Sequence, residues 1–294
     1  MPLHDLVEYF NDRFGREHHS SYRPFILKDN QVSGLFGPIR INSVFSPIRQ
    51  TLVPTEIIGH SAKIEVSTSA TPYLGDDEIE NLLANNERQP TSLESIINFD
   101  RLSRTVHMLN FLTLLPAHGS LFLEVDPRHI LGIKHDHGVY FGEVIAQCGL
   151  YTHYIVIVLS VHSQYARYYK QLLTGLDNYR HQGFQIALKF DYKVRDEIVL
   201  DLIVALSPNY VSVPANTFDQ NNDSVVLDYL DELTTVVASV NGQSILQKID
   251  QKKTDSLARS ANFDLVEGSH YRAIAFDYRT KLGSGGHSIE TNYY

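Results

Sequence analysis

From Leu121 onward the chain alternates between short apolar runs of strand length and longer stretches of helical periodicity. The runs are LFLEV from Leu121, HYIVIVL from His153, FQIALKF from Phe184, NYVSV from Asn209, SILQKI from Ser244 and DLVEG from Asp264. Helical stretches fall between them at 139–148, 164–180, 195–205, 224–240 and 252–261. Continuous apolar runs mark strands covered on both faces, and a helix between strands is the crossover that a parallel pair needs. Such units in series predict a closed (β/α) barrel of the α/β class, with a doubly wound open sheet as the alternative, because strand order is not written in a sequence. No Gly-rich phosphate loop follows the first strand, which counts against a nucleotide-binding open sheet.

The region before Leu121 is less regular. Leu3, Leu6, Val7 and Phe10 share one face of a helix predicted over 3–14, and a Pro- and Gly-rich stretch read as irregular continues to Pro38. Residues 39–48 and 55–66 read as extended segments joined near Pro54. The polar, acidic stretch 71–89, with its acidic run Asp76–Glu80, reads as a solvated loop holding a short helix. Ile97, Leu102, Val106, Leu109 and Leu112 or Thr113 define an amphipathic helix from Ile96 to Leu115, stopped by Pro116 and Gly119. The expected organisation is an N-terminal extension (1–38) packed on the barrel, the barrel itself (39–280) and a flexible Gly- and Ser-rich tail (281–294), with no internal repeat.

Composition removes several function classes. Of 294 residues, 43% are apolar, enough to bury a core, and the net charge of −9 disfavours general binding to nucleic acid or to an anionic membrane. The single cysteine, Cys148, excludes an internal disulfide and fits a reducing compartment. No apolar stretch approaches the roughly 20 residues of a membrane span, and the first residues carry no secretory signal pattern, so a cytoplasmic protein is expected.

A series of landmarks between Asn42 and Phe276 resembles the EAL family of cyclic-di-GMP phosphodiesterases, a bacterial signalling family. The family's opening Phe-Gln-Pro-Ile is matched by Phe45-Ser46-Pro47-Ile48, and its Gly-x-Glu-Ala-Leu signature by Gly59-His60-Ser61-Ala62-Lys63. Its Asn-Val-Ser-Pro strand end falls on Glu124-Val125-Asp126-Pro127, and its Glu-Leu-Thr-Glu on Val158-Leu159-Ser160-Val161. Its Ala-Leu-Asp-Asp-Phe-Gly falls on Ala187-Leu188-Lys189-Phe190-Asp191-Tyr192, and the lysine of its Tyr-Ile-Lys-Ile-Asp on Ser212. Its Val-Glu-Thr falls on Ile249-Asp250-Gln251, and its Gln-Gly on Glu267-Gly268. Each motif alone is weak, and their order and spacing carry the resemblance. It implies a modified (β/α)8 TIM-type barrel whose first strand runs antiparallel to the rest.

The family reaction is phosphodiester hydrolysis assisted by two divalent cations, which need oxygen ligands at the carboxyl ends of the strands. On this resemblance the vestigial active-site positions are Ser61, Glu124, Val158, Lys189, Phe190, Asp191, Ser212, Asp250 and Glu267. Ser61 replaces a glutamate with a hydroxyl, Val158 cannot coordinate, and Lys189 brings a cation to a cation site. Phe190 stands where a second aspartate belongs, although a one-residue shift brings Asp191 there. Ser212 replaces the catalytic lysine, and Glu124, Asp250 and Glu267 remain as carboxylates. No catalytic residue, metal or cofactor is therefore expected. A salt-bridged cluster around Lys189 and a repurposed metal site on the remaining carboxylates are the alternatives. The ligand-contacting positions fall on Ser46 and Glu65, with Lys63 between them, and a glutamate in place of a phosphate-binding arginine argues against cyclic-di-GMP binding.

Other features carry less. His135-Asp136-His137 offers a His-x-His pair, but no further His or Cys follows at zinc spacing. Ser61, Ser160 and Ser212 lie near strand ends with His60 and His162 close in sequence, without a nucleophile-elbow motif. Tyr165, Tyr168, Tyr169, Leu172 and Leu173 fall at helical spacing and suit core packing. The expectation is a non-catalytic EAL-like regulator acting through an unidentified protein partner, with homodimerisation open. A cyclic-di-GMP receptor without hydrolysis and a residual metal-dependent phosphodiesterase are the alternatives.

Overall fold

Ten strands are present among the described residues: β1 Phe25–Lys28, β2 Gln31–Phe36, β3 Ile39–Gln50, β4 Ile57–Ser67, β5 Ser120–Val125, β6 Ile155–Val161, β7 Gln185–Phe190, β8 Tyr210–Pro214, β9 Gln243–Gln247 and β10 Leu265–Val266. The computed structural model describes residues 1–19, 21–69, 71, 73–75, 78, 93–114, 119–133, 138–190, 197–215 and 223–272. Hydrogen bonding follows the order β1-β2-β3-β10-β9-β8-β7-β6-β5-β4, and β4 pairs back onto β3, so β3 to β10 close an eight-stranded barrel. β5–β6, β7–β8, β8–β9 and β9–β10 are parallel, whereas β3 meets β10 antiparallel with Arg49 opposite Val266. The predicted barrel with its antiparallel first strand is what the chain adopts, and the open sheet is excluded.

The helices are α1 Leu3–His18, α2 Leu93–Phe111, α3 Pro127–Gly132, α4 Val139–Gln147, α5 Tyr169–His181, α6 Glu197–Leu206, α7 Asp223–Ser239 and α8 Lys252–Ser260. The stretch expected to be helical from 164 is 3-10 over Ser163–Tyr168 and α-helical only from Tyr169. The tail from 281, most of the acidic loop, the His135–His137 motif and Asp191 lie outside the described residues.

Two compact units divide the chain. The first comprises Met1–Phe45, Ser61–Ser160 and Gln164–Ile186. Within it, residues 25–36 form the β1–β2 hairpin rather than the irregular stretch expected. Asp29 and Asn30 take φ of 51° and 61°, as a two-residue hairpin turn of the I′ type demands. Two asparagines then do work that a neighbouring strand would do. Asn11 of α1 donates to the Phe25 carbonyl and accepts from the Phe25 N–H, each at 2.9 Å. Asn110 of α2 brackets Val32 in the same manner, each bond 2.7 Å. Short strands completed by side chains leave little period-two signal, which is why the sequence hid them. Gly34 lets α2 lie close on β2, since a Cβ there would stand 2.9 Å from Val106 Cγ2.

α2 is buried nearly all round from Phe99 to Phe111, polar residues included. Its Asp100 forms an ion pair with Arg104 one turn on and contacts His129 Nδ1 of α3 at 2.5 Å. Arg104 also donates to the Tyr179 hydroxyl at 3.3 Å and lies 3.6 Å from the centre of the Phe141 ring. The other oxygen of Asp100 accepts from the Asp126 N–H at 3.2 Å, and Asp126 in turn caps α3 by accepting from the Arg128 N–H at 2.8 Å. Burial alone would raise the Asp100 pKa. Arg104, the hydrogen bond and charge of His129 and the Asp126 N–H outweigh it and hold the carboxyl below its usual range. Burial lowers His129, against the pull of Asp100, and pushes His107 down to about 4.

The second unit comprises Ser46–His60, Val161–Ser163 and Ala187–Tyr294. β8 is buried along its whole length, and Val199, Ile203, Leu230, Leu233 and Val237 supply the helical side of this core. Asp264 fixes the start of β10 by accepting from the Ser244 N–H and hydroxyl at 2.8 and 2.9 Å. Tyr271 donates to Asp255 at 2.7 Å, which α8 also pairs with Arg259.

Candidate functional site

The carboxyl ends of the parallel strands are where a barrel of this kind presents chemistry, and the residues there are set by period-two alternation along each strand. In the first unit, Ser61, Lys63 and Glu65 share one face of β4, while buried Ala62 and Val66 take the other. Ser61 is half-buried, and Lys63 and Glu65 are exposed. On β5 and β6, Glu124 stands in register with Val158. Two residues beyond Val158, on the same face of β6, the Ser160 hydroxyl donates to Glu124 Oε1. One carboxylate, one hydroxyl and one isopropyl group thus meet at these two strand ends.

In the second unit, Lys189 of β7 is in register with Ser212 of β8, which faces Ile245 of β9, which faces Leu265 of β10. Lys189 is half-buried and Ser212 almost wholly buried. Phe190 points to the opposite face of β7 and is 2% exposed, so it is a core side chain rather than a strand-end group. One layer further, Gln247 Nε2 donates to Glu267 Oε2 at 2.7 Å, and Glu267 is 2% exposed. Glu267 is carried there by backbone pairing beyond β10: its N–H donates to the Leu246 carbonyl and its carbonyl accepts from the Ile249 N–H, each at 3.0 Å. Gly268 permits this close approach, because a Cβ would fall 2.0 Å from the Ile249 carbonyl oxygen. Asp250 stands apart from this layer. It is exposed, and its Oδ1 accepts from the Ser269 hydroxyl at 2.7 Å. Ser46 is half-buried on β3.

The structure therefore pairs Glu124 with Val158, and Lys189 with Ser212. It separates Phe190 from Lys189 and ties Asp250 to Ser269. Two strand-end contacts escaped the sequence reading. Ser160 and Gln247 each donate to a strand-end carboxylate, and counting two residues on from Val158 and from Ile245 would have found both.

These donor sets fit a pair of divalent cations poorly. Such ions take six or more hard oxygens and favour several carboxylates. Among the described residues, the β5–β6 ends supply one carboxylate, engaged by a serine, and the β7–β10 ends supply Glu267, engaged by an amide, alongside the ammonium of Lys189. Among the described residues no group of three or more His, Cys, Asp or Glu side chains is arranged to hold a metal ion. No described helix is long and apolar enough to cross a membrane. Burial pushes the thiol of Cys148 up to about 12, which leaves it unreactive.

No family model and no curated protein matches this sequence. Solved structures do. BlrP1 of Klebsiella pneumoniae, in a complex with manganese and cyclic-di-GMP, superposes with a TM-score of 0.65 at 14% identity over 90% of this chain and 65% of its own. The present chain thus spans slightly less than two thirds of the BlrP1 chain. The FimX EAL domain of Xanthomonas citri, in complex with cyclic-di-GMP, gives 0.62 at 12% identity over 78% of this chain and 85% of that one. YkuI of Bacillus subtilis, with an EAL domain and in complex with cyclic-di-GMP and calcium, gives 0.59 at 15% identity over 82% and 63%. The fold is that of EAL domains.

Proposed function

We propose that this chain is a regulatory protein of EAL fold without phosphodiesterase chemistry, acting in cyclic-di-GMP signalling through contact with another protein. The observation that carries this reading is Lys189. It brings a positive charge to the end of β7, beside the hydroxyl of Ser212, where the family resemblance places a metal-ligating aspartate beside a catalytic lysine. An ammonium raises the electrostatic cost of a nearby divalent cation, and a valine at 158 and a serine at 61 remove two further ligands. The signalling context rests on the three similar structures, each solved with cyclic-di-GMP. The test is incubation of purified protein with cyclic-di-GMP and Mn²⁺ or Mg²⁺, followed by chromatography of the nucleotides. Intact cyclic dinucleotide is expected. Linear product that disappears on chelation would refute the reading.

A second reading, reception of cyclic-di-GMP without hydrolysis, is favoured by one observation: Lys63 is exposed on the same face of β4 as Ser61. Glu65, two residues further on that face, works against a dianionic ligand. Calorimetric titration with Ca²⁺ present separates the two readings. Saturable heat would establish a receptor, and its absence at high micromolar ligand would remove that reading.

A further inference from the structure

Within the first unit, α3 and α5 flank an open groove whose two sides differ in chemistry. Ile130 and Ile133 line the α3 side, and Tyr168 adds an aromatic ring to the lining. The α5 side is a polar stripe at helical spacing, Lys170, Thr174 and Asn178, with Arg167 just ahead of the helix. Arg167 and Lys170 are both exposed, and neither has a carboxylate partner among the described residues. Arg167 instead lies 4.7 Å from the centre of the Tyr168 ring. The nearest acid on α5, Asp177, is paired with Arg180 at 2.9 Å. Among the described residues no acid lines the groove, in a chain whose net charge is −9.

The geometry points to a docking groove for an acidic amphipathic helix of a partner protein, an assignment that rests on the reading of this chain as a protein-binding regulator. Lys170 to Asn178 spans about 12 Å along the axis, enough for two turns of a partner helix laid beside α5. Arg167 and Lys170 lie three residues apart, so the partner presents carboxylates about one turn apart to meet them. Its apolar residues on the adjoining face meet Ile133 and Tyr168. The net charge of −9 disfavours unspecific association with such a helix.

The test uses the full chain and a labelled 14-residue helix-stabilised peptide of Glu and Leu, with Glu at i and i+3 and Leu on the adjoining face, beside a control in which every Glu is Lys. Fluorescence anisotropy is expected to show saturable binding of the acidic peptide alone. Binding should weaken at least tenfold in the double variant R167E/K170E, and again in Thr174→Trp, which fills the groove without changing charge. Both sites are on the surface, so circular dichroism of the variants is expected to match the parent. Equal binding of the two peptides, unchanged binding in both variants, or no binding at millimolar peptide would each overturn the groove assignment. Hydrolysis of cyclic-di-GMP by the same sample would instead overturn the regulator reading and leave the groove result standing.

Discussion

α2 and the ends of the parallel strands both carry acidic side chains with polar partners, and they use that charge in opposite ways. On α2, Asp100 meets a guanidinium, an imidazole and a backbone N–H, and its pKa falls despite full burial. Every formal charge in that cluster has an opposite beside it. Its product is architectural, because the Asp126 N–H that Asp100 holds lies two residues beyond Glu124 and opens α3. At the strand ends the carboxylates Glu124 and Glu267 have hydrogen-bond donors from a serine and an amide. A metalloenzyme leaves such carboxylates aimed together at a common point. The comparison teaches that burying an acid does not make a site. What its partners leave available decides whether it holds a backbone, holds a metal or holds nothing.

The sharpest way to break the comparison is to remove the acid from α2. Asp100→Ala leaves Arg104 buried without its counter-ion, and loss of about 3–5 kcal/mol in chemical denaturation is expected. A loss below about 1 kcal/mol would mean that the cluster is not what holds the α2–α3 corner. Acid provides the second test. His107 has a folded-state pKa near 4, below its usual 6.5, so its contribution is complete above pH 6.5 and is lost as pH falls towards 4, where the unfolded chain takes the proton first. That is on the order of 3 kcal/mol. Stability measured across this window should decline less steeply in His107→Gln than in the parent. Next, Asn110→Ala strips two bonds from the Val32 backbone and should cost about 1–3 kcal/mol. The smallest effect belongs to the strand ends. Glu124→Gln keeps a hydrogen-bond acceptor for Ser160 at an exposed position, and a change within about 0.5 kcal/mol is expected.

The barrel was legible because its strands are covered on both faces and read as unbroken apolar runs, with a helix between each pair. Lys189, Val158 and Ser212 were placed by the family resemblance, whose motifs fall at the ends of those runs. Three things were not legible. The β1–β2 hairpin is four and six residues long and depends on Asn11 and Asn110, partners from distant helices. α2 reads as an amphipathic helix with one apolar face, yet on its polar face Asp100 and Arg104 are buried against α3, α4 and α5, and His107 against Ser43 and Phe45 of β3. Burial of a polar face depends on what lands on it, and no local period records that. The contacts of Ser160 and Gln247 were not legible because only the strand register sets each against a carboxylate.

The proposal predicts that the strand ends, with Lys189 among them, do not hold divalent cations. Electron paramagnetic resonance of Mn²⁺ titrated into the full chain tests it directly. The free six-line signal is expected to rise in proportion to added metal, in the parent and in Glu124→Gln/Glu267→Gln alike. Stoichiometric loss of that signal in the parent, restored in the double variant, would contradict the account.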